Sequence, residues 1–364
     1  MNTLGIYIHI PFCAKKCGYC NFYSVCFTKK QAELYVKAVL RNIRFYSDRE
    51  KITDTVYFGG GTPSLLKPEY ISEIMQEIKE NFVLSENAEV TLEANPNTIS
   101  PERLEKYLNA GVNRLSIGVQ SMNDRELKFL GRTHNAERAE KAVKDAFSVG
   151  FENISCDLMT ALPYQNFESL EYSINKITDM PVRHISAYIL KIEENTPFSL
   201  NVSSEIMPDD DFSAEIYLKT VDMLEKNGFR QYEVSNFAKK GYESRHNCRY
   251  WKCLDYIGIG SSAHSCYKGK RFAVRDSIEE FVSSPIQNTF ITEENPCGFE
   301  EYAMLRLRLK EGLDLSETGE RRVEIEKKIP VLVSAGYADF SAGKLSLTAK
   351  GFLMSNSVIE YLIF

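Results

Sequence analysis

The run Tyr7–Phe22, YIHIPFCAKKCGYCNF, places Cys13, Cys17 and Cys20 in a C-x3-C-x2-C spacing directly after a strand-like apolar segment, Leu4 to Ile10. A structural zinc site closes a tetrahedron with four ligands, and a fully thiolate-held iron–sulfur cube takes four cysteines. Three on one loop leave a coordination position open, and an open iron binds and reduces a small molecule. Two plainer readings stand beside this one: a three-cysteine zinc site completed by His9 or a distant residue, and three unliganded thiols. Free cysteines seldom cluster so closely on a polar, lysine-bearing loop, which weighs against the second.

Working outward, 364 residues with 43% hydrophobic and 26% charged composition suit one large soluble barrel and an appendage. A net charge of -6 argues against broad capture of nucleic acid, which needs a basic face. The N-terminus has no cationic segment followed by an apolar stretch, and no run approaches the roughly 18 apolar residues of a spanning helix. Neither export nor a membrane span is expected. Nine cysteines, three of them bunched, fit a reducing compartment, so the expected location is cytoplasmic.

Short β-rich runs alternate with amphipathic helical patterns, which predicts βα units and a parallel sheet. The candidate strands are 5–10, 55–58, 89–93, 114–119, 153–158 and 184–190, and the helices between and after them are 30–45, 68–81, 101–110, 136–149, 167–178 and 211–227. Ser100-Pro101 reads as an N-cap with proline at the first helical position, and Gly111, Gly150 and Gly228 read as helix stops. Six units make a partial (β/α)6 barrel the expected fold, and barrel enzymes collect their chemistry at the C-terminal ends of the strands.

The strand ends and the loops after them are polar and glycine-rich: the three cysteines, then GGGTPS from Gly59, Glu93 in LEANP, Gln120 in RLSIGVQS, Asp157 in DLMTALP, and Tyr188. A triple glycine alone is most often a tight turn, and a carboxylate at a strand end often only caps the next helix. Their fall on one rim is the argument for a site. Glycine at Gly60 and Gly61 lets backbone approach a ligand closely. Glu93 offers a carboxylate for an ammonium, and Arg132 in LGRTH a guanidinium for a carboxylate.

Together with DYIGIGSSAH from Asp255, these runs resemble the HemN-like (coproporphyrinogen-dehydrogenase) family of radical S-adenosylmethionine (SAM) proteins over nearly the whole chain. The resemblance implies a [4Fe–4S] cluster on Cys13, Cys17 and Cys20, with SAM chelating the fourth iron and cleaved by one electron. It implies a SAM site formed by Tyr7, Gly60, Gly61, Thr62, Glu93, Gln120, Arg132 and Asp157, the last of these and Gln120 serving ribose hydroxyls or nearby polar groups. Within the family, the oxygen-independent coproporphyrinogen III oxidases carry a further cysteine two places after the third, and an N-terminal extension. Here that place is Phe22 and twelve residues precede Cys13. The HemW branch, regarded as haem chaperones, has the shorter N-terminus and an H-N-x-x-Y-W motif, present as His246 to Trp251.

The resemblance to that branch implies haem as cargo, His246 as its axial ligand with Tyr250 and Trp251 against the porphyrin face, haem-accepting proteins and an electron donor as partners, and no coproporphyrinogen III dehydrogenase activity. Peripheral membrane contact and a homodimer stay open. The alternative is the oxidase, decarboxylating two propionates; a weaker one is a zinc-binding structural protein. Cys248, Cys253 and Cys266 match no paired C-x2-C framework and read, with Cys26, Cys156 and Cys297, as incidental thiols. Ala161 stands where the family has glycine, and its methyl is expected to tighten the adenosine pocket. The C-terminal third, from Gly298, reads as a winged-helix-like α+β module: helix 299–312, helix 323–334, a hairpin in YADFSAGKLSLT and a last helix from Ala349. The expected division is 1–230 barrel, 231–297 connecting segment, and 298–364 C-terminal module.

Overall fold

A computed structural model describes residues 3–203 and 206–363; Met1, Asn2, Ser204, Glu205 and Phe364, which fall within the expected divisions, lie outside the described residues. The six expected strands form as β1 (Thr3–Ile10), β2 (Asp48–Gly60), β3 (Phe82–Ala94), β4 (Arg114–Gln120), β5 (Asn153–Thr160) and β6 (His184–Ile189). Each pairs in parallel with the next. Alternation decides which side chains go where. In β1, Leu4, Ile6, Ile8 and Ile10 are fully buried in the shared hydrophobic core. The alternate residues turn into the barrel, where Tyr7 stacks on Tyr57 and His9 abuts Gly60.

The crossovers are the expected helices, α1 (Lys29–Phe45), α2 (Pro68–Asn81), α3 (Pro101–Ala110), α4 (Ala136–Ser148) and α5 (Phe167–Thr178), followed by α6 (Asp210–Lys226). Their ends obey local chemistry: the side chains of Thr28, Ser100, Asn135 and Asn166 accept N-terminal N–H groups, and Gly111 ends α3 at φ 101°. Residues 231–297 are more than a connecting segment. They add β7 (Arg230–Gln231, starting one residue earlier) and β8 (Asn236–Ala238) beside β6, and β9 (Tyr256–Ile259), β10 (His264–Tyr267), β11 (Lys270–Val274) and β12 (Thr289–Glu294) beyond β1. The result is one open sheet of order β12-β11-β10-β9-β1-β2-β3-β4-β5-β6-β8-β7. Strand β9 runs parallel to β1, a seventh parallel strand whose four residues are too short to read from periodicity.

The C-terminal module is α+β as expected. Helix Phe299–Arg306, helix Arg322–Ser334 and the final helices Ala349–Leu353 and Ser355–Ile363 surround a three-stranded sheet in which Lys344–Leu347 lies between Leu313–Asp314 and Ala338–Ser341. Ala342 and Gly343 turn the hairpin with φ of 50° and 76°. The module is tied to the barrel by backbone bonds from Val234 N–H to Arg308 O and from Lys310 N–H to Tyr232 O, and by a Lys252–Glu311 ion pair at 2.9 Å.

Candidate functional site

At the C-terminal end of β1–β6 the inward positions enclose a cavity of about 510 Å³. Cys13, Cys17, Cys20, Gly60, Gly61, Thr62, Glu93, Gln120, Arg132 and Asp157 all line it. Tyr7 does not; it lies one layer deeper, its hydroxyl 3.0 Å from His9 Nδ1 and its ring stacked on Tyr57.

The cysteine loop is clamped at its base, where Phe12–Cys13 pairs in parallel with Val25–Cys26, and near its middle by Phe198, whose N–H donates to Gly18 O. A Cβ at Gly18 would meet the Phe198 ring at 2.3 Å. Thr62 Oγ1 donates to Cys13 Sγ at 3.7 Å and Arg132 Nη1 to Cys17 Sγ at 3.5 Å. Burial raises the Cys20 thiol's pKa, and the neighbouring Cys17 and Cys13 add to that. Such thiols ionise when a cation arrives. Among the described residues no three His, Cys, Asp or Glu side chains converge as ligands of a single ion. Three thiols spread along one loop suit a cube, whose irons sit at separate corners. Phe22, at the oxidases' extra-cysteine place, is 64% exposed on the cavity's wall.

Opposite the loop sit two buried carboxylates. Glu93 accepts from the Tyr57 hydroxyl at 2.8 Å and from Gly60 N–H at 3.1 Å, yet burial pushes its pKa up to about 7. Asp157 accepts from Ser116 Oγ at 3.1 Å and is pushed by burial to about 6. Charge in such a place is costly until a cation is near, so a ligand carrying an ammonium and a sulfonium fits. Arg132 donates to Gly118 O at 2.8 Å while its buried Nε has no partner among the described residues. Arg114, 1% exposed on the same wall, also has an unpartnered Nε. It went unread as a site residue, although period two from Gln120 through Gly118 and Ser116 turns it inward.

The glycines have local reasons as well. Gly60 adopts φ 112° with the His9 ring 2.6 Å from where a Cβ would stand, and a Cβ at Gly61 would meet Phe12 O at 2.7 Å. Ala161 is buried at φ 53° and does not line the cavity. Its departure from glycine strains the backbone and leaves the pocket's shape alone.

The H-N-x-x-Y-W residues form the helix Arg245–Trp251, which closes the other end of the barrel. Ser244 caps it, and Glu89 of β3 accepts the N–H groups of Arg245 at 3.0 Å and His246 at 2.9 Å. His246 is not the open imidazole that a free axial ligand requires. It has no exposed surface, Nδ1 lies 2.8 Å from Thr55 Oγ1 and Nε2 2.9 Å from the Tyr250 hydroxyl, and the ring stacks on Tyr57. Burial, followed by Arg249 and Arg114, lowers its pKa to about 3, so it is neutral. A second cavity of about 340 Å³, lined by Tyr188, Glu233, Asn247, Tyr250 and Trp251 among others, adjoins the first through Tyr188 and Asn247.

The chain is also similar to known proteins. The radical SAM superfamily pattern matches residues 7–177. The chain is 33% identical to the heme chaperone HemW of Lactococcus lactis, over 97% of this chain and 96% of that protein, and 34% identical to HemW of Haemophilus influenzae, over 99% and 98%. Among solved structures it is similar to coproporphyrinogen III oxidase (HemN) of Escherichia coli, with a TM-score of 0.85 over 99% of this chain and 90% of that one, at 22% identity.

Proposed function

The chain belongs to the HemW family of the radical SAM superfamily, and on that premise we propose that it is a haem chaperone, holding a [4Fe–4S] cluster and SAM at the barrel rim and passing haem to acceptor proteins. The observation that supports this best is the likeness to HemW chaperones along both the barrel and the C-terminal module. The oxidase alternative has the shared HemN fold in its favour, at 22% identity, and fold is not function.

In this reading Cys13, Cys17 and Cys20 carry the cluster and leave its fourth iron for SAM. Once bound and reduced, the pair supplies one-electron cleavage of the sulfonium. Glu93 takes the ammonium, Arg132 the carboxylate, and Gln120 and Asp157 the ribose hydroxyls, with Gly60, Gly61 and Thr62 shaping the approach. Tyr7 acts from below by supporting Tyr57, the donor to Glu93. An electron donor is required for the cluster. Nine free thiols support residence in the reducing cytoplasm. Among the described residues no helix is long and apolar enough to cross a membrane.

Haem docks in the cleft beside Tyr250 and Trp251, and His246 Nε2 reaches the iron when the Tyr250 hydroxyl leaves it. The test is parallel titration of the anaerobically reconstituted protein with haem and with coproporphyrinogen III. Stable haem binding without porphyrinogen conversion is expected; protoporphyrinogen IX at catalytic rates would move the protein to the oxidases. Tyr250→Phe, which frees Nε2, should tighten haem binding, and His246→Ala should change the ligand-field bands. Bands unaltered in folded His246→Ala would move the ligand elsewhere, with the exposed His264 next.

A further inference from the structure

Three cysteines far apart in sequence meet beside the motif helix. Cys253 follows that helix at φ 51°, Cys266 sits on β10 opposite Tyr256 and Arg271, and Cys297 lies at φ 68° between β12 and the first helix of the C-terminal module. The Cys297 side chain adjoins those of both Cys253 and Cys266 closely enough to shift their ionisation. The surroundings hold the three segments together. Cys297 N–H donates to Glu301 Oε2 at 2.6 Å, Glu301 pairs with Arg271 at 2.6 Å, and Arg271 is the cross-strand partner of Cys266. Cys266 is buried, whereas Cys253 and Cys297 are partly exposed.

We propose that this triad is a peroxide-responsive dithiol, in which Cys253 is oxidised and Cys297 resolves it to a disulfide. Reagents reach Cys253, which is partly exposed. The Cys297 thiol lowers the Cys253 pKa, while Cys297 itself is pushed up to about 12 and Cys266 also upwards, so Cys253 is the most readily ionised of the three. The Cys253 thiolate attacks one oxygen of a hydroperoxide, the O–O bond breaks, and hydroxide or alkoxide leaves. The Cys297 sulfur then attacks the resulting sulfenic acid, the S–O bond breaks, and water leaves with the Cys297 proton. Two thiols lose two electrons, and the peroxide gains them. The bond would staple the end of the helix bearing Tyr250 and Trp251 to the strap entering the C-terminal module. The chemistry itself does not depend on where haem binds.

The full-length protein, with its cluster reconstituted, is pulsed with hydrogen peroxide, blocked with N-ethylmaleimide and mapped by mass spectrometry. A loss of two hydrogen atoms is expected in a peptide pair joining Cys297 to the tryptic peptide 253–268, which holds both Cys253 and Cys266. Cys266→Ser should keep that link and so locate it at Cys253. Cys297→Ser should abolish it and leave a dimedone-reactive sulfenic acid on Cys253. Before oxidation, Cys253 should label ahead of Cys297 and Cys266. Absence of the link in the wild type, its persistence in Cys253→Ser, or a stoichiometric metal that shields the triad from labelling would each overturn the assignment.

Discussion

The two ends of the barrel interior are built from similar polar residues and finished differently. On the floor the histidines and the capping carboxylate are partnered: His246 lies between Thr55 and Tyr250, His184 between Ser155 Oγ at 2.7 Å and the Tyr232 hydroxyl at 2.8 Å, and Glu89 caps the closing helix. At the rim the set is incomplete, with two carboxylates pushed towards neutrality, the Arg132 Nε without a partner among the described residues, and three thiols around open space. A satisfied polar network specifies a structure, whereas an unsatisfied one around a cavity calls for a ligand. The distinction separates groups already partnered in the ligand-free protein from groups left open there, although both are buried and polar.

The largest effect should come from the thiols. Cys13→Ala, Cys17→Ala and Cys20→Ala should each abolish the cluster's visible absorption and iron content after anaerobic reconstitution, with the melting transition retained. A full cluster in any of the three would erase the rim's side of the contrast.

On the floor, His246→Ala leaves Thr55 and Tyr250 without their buried partner and opens a void, and should cost about 3 kcal/mol in denaturant unfolding. Iron content per folded chain should be unaltered. A variant as stable as the wild type would show that the floor is no more finished than the rim.

At the rim, Glu93→Gln removes a charge-assisted partner and should weaken SAM binding by about 1.5–3 kcal/mol, read from the EPR response of the reduced cluster. The pH dependence sharpens this. With its folded pKa raised from 4.5 to about 7, Glu93 holds a proton that the unfolded chain releases, so ligand-free stability should fall as pH rises across that window. SAM binding should move the opposite way, weakening about tenfold for each unit below 7, as the ammonium prefers the carboxylate. Glu93→Gln should flatten that slope, leaving the smaller part due to Asp157.

The smallest effect is at Ala161, whose strain at φ 53° belongs to the backbone. Ala161→Gly should stabilise the protein by about 1 kcal/mol and leave SAM affinity unchanged. A change in affinity without one in stability would return the methyl to the pocket.

Much of the rim was legible because strand periodicity turns alternate residues inward and the loops after parallel strands share one end of the barrel. Glu93, Gln120 and Asp157 obey that rule, and Arg114 obeys it too once period two is counted back from Gln120. His246 does not. Its neighbours Thr55 and Glu89 lie 191 and 157 residues away from it or its N–H, and no local pattern states that a seven-residue helix will fold under the barrel and bury its histidine. Strand β9 was hidden by its shortness, and the meeting of Cys253, Cys266 and Cys297 depends on a strand, a turn and a strap arriving together.

By itself, then, the sequence determined the order of βα units, the three-thiol loop and the chemical types on the rim, since local spacing and alternation carry that information. Only the tertiary structure decided which buried polar groups found partners. Satisfaction of a hydrogen bond or a charge depends on what distant segments bring within about 3 Å, and the energy of a buried group turns on that proximity.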